Sequence, residues 1–152
     1  HIVTAKGIDT RGMDPLHVET LGSKFQFGDR RQADLQLAAY ERTRRALGGI
    51  TRNIPFDALI NLDSYVNRVN DTVTDPSDMV VAEYGPDALK GLSREEVVSM
   101  ASELKKDASL IVEAYRIVID AVQKKRVDPL SINWNNPAVI KDLARKLQEQ
   151  KT

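Results

Sequence analysis

The chain of 152 residues carries 22 basic and 22 acidic side chains, a formal charge of zero, so no bulk electrostatic pull toward nucleic acid or anionic lipid is written into it. Apolar residues at 41% and charged residues at 29% describe an ordinary globular chain of single-domain length, and no apolar run approaches the ~20 residues of a membrane span. With no cysteine, disulfide frameworks, thiolate metal sites and thiol catalysis are excluded, and a reducing cytoplasm is the expected compartment. No basic stretch followed by an apolar run and a small-residue cleavage site opens the chain. Asn70-Asp71-Thr72 fits the glycosylation pattern, which has meaning only for a secreted chain.

Residues 1–28 show no helical period, and Gly22-Ser23 interrupts Val18, Leu21, Phe25 and Phe27. This segment reads as an extended or hairpin-like N-terminal arm, with residues 29–152 forming a helical domain. His17, within the arm, reads as a surface residue.

Asp29, with Gln32 three residues on, opens the first expected helix, and Gly48-Gly49 closes it. Ala33, Leu37, Tyr40 and Leu47 share one face, with Leu35, Ala39 and Ala46 opposite, so this helix has apolar surface to bury twice. Asn53 and Pro55 start a second helix, along which Leu59, Leu62, Val66, Val69 and Val73 step by three and four. Asp75-Pro76 is its expected stop. Residues 76–92 hold two prolines and two glycines and read as a connector with one or two helical turns.

Ser93-Arg94-Glu95-Glu96 is a capping box. No proline or glycine follows until Asp128-Pro129, so a spine helix is expected over about 94–126, roughly 50 Å long. Val97, Ala101, Leu104, Ala108, Ile111, Tyr115, Val118 and Val122 repeat four, three along it as the core seam. The flanks of the seam are acidic at first (Glu96, Glu103, Asp107) and apolar later (Leu110, Ala114, Ile117, Ala121), so burial should widen along the helix. A compact domain of this length is roughly 40 Å across, which makes a straight 50 Å helix an argument for elongation or for a partner on the narrow half. Pro129 to Asn135 should be extended, with Trp134 as a packing anchor. Asn136 and Pro137 then cap a last helix carrying Val139, Ile140, Leu143 and Leu147.

The chemistry-bearing residues are sparse. There are two histidines, and no Glu-x-x-His pair, EF-hand loop or glycine-rich phosphate cradle. Asn70, Asp71, Asp75 and Asp78 are oxygen-rich but lack the glycine and final Glu of a calcium loop. No catalytic residue, metal or cofactor is expected. Charge is segregated: residues 1–52 hold 9 basic and 6 acidic side chains, 53–120 hold 6 and 13, and 121–152 hold 7 and 3. Five arginines fall within Arg30 to Arg45, and Arg30, Arg31, Arg42 and Arg45 are the candidate contacts for an anionic partner. The reading that follows is an all-α domain, an elongated bundle of about four main helices, acting as a non-enzymatic protein-interaction or structural assembly module through its helical faces and the N-terminal arm, with a protein partner or self-association expected, as part of a larger protein or complex. The alternative is a nucleic-acid-binding accessory module using the arginine-bearing helix and the basic C-terminal helix.

Overall fold

The computed structural model describes residues 13–49, 51 and 53–150. Among these residues every regular element is helical and no strand occurs. Six α-helices are present where four principal ones are expected: α1 (Pro15–Phe27), α2 (Arg30–Ala46), α3 (Phe56–Asn70), α4 (Pro76–Tyr84), α5 (Arg94–Gln123) and α6 (Pro137–Gln150). Short 3₁₀ turns at Pro86–Leu89 and Pro129–Ser131 complete the path.

The largest departure from the sequence reading is α1, which occupies half of the supposed arm; residues 1–12 of that arm lie outside the described residues. Two local causes start the helix. The Asp14 carboxylate accepts the Leu16 N–H at 2.9 Å, and Pro15 presets the first helical φ. Met13, His17 and Leu21, spaced by four, then line one buried face. That burial outweighs the ~1 kcal/mol that Gly22 costs inside a helix. His17 is therefore a core residue and not a surface one, with 3% of its surface exposed.

Asp29 caps α2 by accepting the N–H groups of Arg31 and Gln32. At its far end Gly48 has φ +76°, the Gly49 N–H bonds Arg44 O, and the Gly48 N–H bonds Arg45 O, which is a Schellman closure. The third helix stops at Asn70 rather than at Asp75. The Asp71 carboxylate takes the N–H groups of Val73 and Thr74 and turns the chain out, so Val73 is 91% exposed and not part of the seam. The expected connector holds a real helix, α4, started by the same Asp-Pro device at Asp75-Pro76.

Both halves of the Ser93–Glu96 capping box are formed, and α5 runs for 30 residues, about 45 Å. It ends three residues before Arg126. Lys125 adopts φ +58°, the Arg126 N–H bonds Ala121 O, and the Lys125 N–H bonds Val122 O. This is a second Schellman closure, with lysine in the glycine position. Residues 129–131 form a 3₁₀ turn instead of extended chain, because Asp128 caps it through the Leu130 N–H.

The long helix packs against α3, α4 and α6, while α2 packs on α3 and α1 on α2. Two cores result. The larger joins Leu21, Tyr40, Leu59, Leu62, Val118 and Ile140, among others, from five helices. The smaller holds Met79 and Val80 of α4 against Val97, Ala101 and Leu104 of α5. The narrow half of the seam is thus covered by α4 of the same chain, which removes the need for a second chain there.

Candidate interaction surfaces and the buried polar network

The eight seam residues lie on the core side of α5, with Val97, Ala101, Leu104, Ala108, Ile111, Tyr115 and Val118 buried and Val122 half-buried. The second half of the helix also buries Val112, Ala114, Ile119 and Ala121.

The candidate arginines separate into two kinds. Arg42 is spoken for. Its Nε and Nη2 donate to the two Asp63 carboxylate oxygens at 3.0 and 2.9 Å, and Asn67 Nδ2 donates to the same carboxylate at 3.1 Å. Asp63 is buried, so Arg42 neutralises a charge that would otherwise be stranded at the α2–α3 seam. The hydrogen bonds to Asp63 push the Arg42 guanidinium further above its ordinary value. Arg30, Arg31 and Arg45, in contrast, are exposed and make no ion pair among the described residues. Arg31, Leu35, Ala38, Arg42 and Arg45 fall along one side of α2 by helical spacing; Leu35, one turn from Arg31, is 58% exposed, while Arg42 on the same line is turned onto Asp63. Two further large apolar side chains, Leu16 (68%) and Phe27 (79%), project from α1.

Most of the ion pairs form within one of the three charge segments rather than between them. Arg42–Asp63 joins the basic first third to the acidic middle. Within the middle, Arg68 pairs with Glu83 and Arg94 with Asp75. On the basic α6, Arg145 pairs with Asp142 and Glu149, and Lys146 with Asp142. Lys105 Nζ donates to the Asp71 carbonyl.

One feature that the sequence reading missed is a chain of buried polar groups under α1. His17 Nε2 lies 2.6 Å from Ile54 O and Nδ1 lies 2.9 Å from Tyr40 Oη, which is 3.2 Å from Thr51 Oγ1. A carbonyl oxygen only accepts, so Nε2 carries the proton and Nδ1 accepts from the tyrosine. Tyr40 and Thr51 are each at most 1% exposed, and the Tyr40 ring stacks on Phe56 with centroids 5.6 Å apart. Burial lowers the His17 pKa from 6.5, against the opposing Ile54 bond and Asp14 charge, and raises that of Tyr40. The available signal was the spacing of Met13, His17 and Leu21, which places the histidine in an otherwise apolar stripe. A second buried hydroxyl, Tyr115, donates to Trp134 O at 2.6 Å, and burial pushes its pKa up to about 12.

Among the described residues, open hollows of about 480 Å³ lie beside Glu41, Arg44, Arg45, Gly48 and Gly49, and of about 540 Å³ beside Leu16, Glu19, Thr20, Ser23 and Lys24. A third, of about 450 Å³, lies between α5 and α6. No group of three or more His, Asp or Glu side chains spaced for a metal occurs among the described residues. The Asp71 carboxylate, held near pKa 2 by its bonds to Thr74 and Val73, serves its own turn. Among the described residues no helix is long and apolar enough to cross a membrane. Asn70 and Thr72 of the glycosylation pattern are exposed at the end of α3. Comparison with protein-family models, curated proteins and solved structures finds no match to the chain.

Proposed function

We propose that this chain is a non-enzymatic self-assembly module, an elongated bundle about α5 whose contact face is the outer side of α1 and α2. The observation that carries this reading is the exposure of Leu16, Phe27 and Leu35 on those two helices, with Arg31 one helical turn from Leu35. Burying a phenylalanine or leucine side chain yields about 1.5–3 kcal/mol, whereas arginines at the border set register and encounter. The lack of cysteine suits a cytoplasmic setting.

The test is solution mass by light scattering at two protein and two salt concentrations. The expected result is a mass of at least twice 17.0 kDa that reverts to the monomer in Phe27→Ser/Leu35→Ser without loss of helical signal. A wild-type monomer at every concentration would refute self-assembly. The nucleic-acid reading draws on Arg30, Arg31 and Arg45 of α2 and on the exposed Lys141 of α6, because the α6 cations Arg145 and Lys146 are already paired. It predicts binding that falls steeply with salt and that Arg31→Ser/Arg45→Ser abolishes.

A further inference from the structure

We propose that His17 is a latch for the first helix, and that acid releases it: protonating His17 undocks α1 from α2 and α3 while the rest of the bundle stays folded. The buried stripe of α1 is short, comprising Met13, His17 and Leu21, and the histidine at its centre is the only one of the three that bonds across to other segments. Nε2–H reaches the carbonyl of Ile54 in the α2–α3 connection, and Nδ1 receives the hydroxyl of Tyr40 in α2. The ring also meets Tyr40 edge-on at 5.3 Å and lies 6.1 Å from Phe56 of α3. One imidazole thus ties α1 to three pieces of chain, and every bond it makes fits the neutral ring.

A second proton disrupts this arrangement at a defined atom. Nδ1 becomes a donor aimed at a hydroxyl that was donating to it, so Tyr40 must reverse and pass its proton toward Thr51. A full positive charge then sits among the Tyr40 and Phe56 rings with almost no water contact. The charged groups around it favour neither state strongly enough to prevent this. Asp14 attracts the imidazolium, but its carboxylate is committed to the N–H groups of Leu16 and Asn53. On the other side Lys24 Nζ stands 5.7 Å from the Phe56 ring centre, and Glu41 and Arg44 act on Tyr40 with opposite sign. Desolvation is the largest of these influences. Since the folded-state pKa lies below the unfolded value of 6.5, the docking contribution is complete above that pH. It is lost as pH falls through the folded value.

The rest of the molecule is held differently. The packing of α2 on α3, and of α5 on α3 and α6, uses Leu59, Leu62, Val118 and Ile140 with no histidine among them.

Segment-resolved hydrogen exchange at pH 7.5 and pH 5.0, corrected for intrinsic rates and read beside Trp134 fluorescence, tests the latch. The expected result is that protection of 15–27 falls by about ten-fold or more, while protection of 111–121 and the tryptophan signal hold. His17→Gln, whose amide can donate to Ile54 O and accept from Tyr40 without titrating, should show no such pH response. Unchanged protection of 15–27 in the wild type, or an equal loss in the glutamine variant, would overturn the proposal. So would simultaneous loss in 111–121, which is acid unfolding of the whole. Proton NMR of His17 in the wild type decides independently of any variant: a midpoint at or above 6.5 overturns the latch, and one below it that coincides with the loss of α1 protection supports it.

Discussion

Lys125→Gly should stabilise the protein, although it deletes a long side chain and touches no core residue. The side chain is exposed, and the backbone at φ +58° costs an L-residue about 1–2 kcal/mol. Against this, glycine loosens the unfolded chain by about 0.4–1 kcal/mol, leaving a net gain of about 0.5–1 kcal/mol. For a chain of this size that raises Tm by roughly 1–4 °C. The protein contains its own control. Gly48 occupies the equivalent position after α2 at φ +76°, and a Cβ there would meet nothing within 4 Å. Gly48→Ala should therefore lose a similar amount through backbone conformation alone, with no clash to confuse the result. Paired urea titrations of the two variants read both numbers with m unchanged. A destabilised Lys125→Gly, or a neutral Gly48→Ala, would refute the assignment of these two positions as left-handed closures.

Asp63→Asn should lower stability by about 1–3 kcal/mol, because three donors from Arg42 and Asn67 lose a charged acceptor; a double-mutant cycle with Arg42→Met should show coupling of about 1 kcal/mol, and zero coupling would make the pair incidental. Tyr115→Phe leaves Trp134 O without its donor and should cost about 1–3 kcal/mol in urea. Leu104→Ala should cost about 2–3 kcal/mol, the low end for such changes, because its cluster is small enough to relax. Exchange should then quicken over 76–104 and not over 111–121; uniform quickening would contradict two separate cores.

What the sequence makes legible is whatever is local. Ser93 and Glu96 bond each other across three residues, and the uninterrupted stretch behind them contains no competing turn, so the start and course of α5 follow from the chain itself. The end of α5 does not, because nothing marks Lys125 as left-handed: glycine announces such a closure at Gly48, lysine does not. The first helix escaped for a related reason. Its start at Asp14-Pro15 is local, but Gly22-Ser23 signals a turn, and only burial against α2 decides the contest. Arg42 was visible as a cation, yet its partner Asp63 lies 21 residues away on another helix, a distance at which pairing depends on how helices pack. Val73 matched the heptad by spacing alone, and the Asp71 turn removed it.

The sharing of α5 between two cores sets how the α4 end of the molecule can come apart. The two clusters are joined by a continuous backbone, with Ala108, fully buried, near the boundary. If α4 lifts away, the stretch from Arg94 to Ala108 remains attached to a helix whose nucleus is already formed, and only propagation is at stake. It then shortens from Ser93 inward, turn by turn, to where the larger core takes hold. That end melts as a graded unravelling, whereas the part built on Ile111, Tyr115 and Val118 opens all at once or not at all.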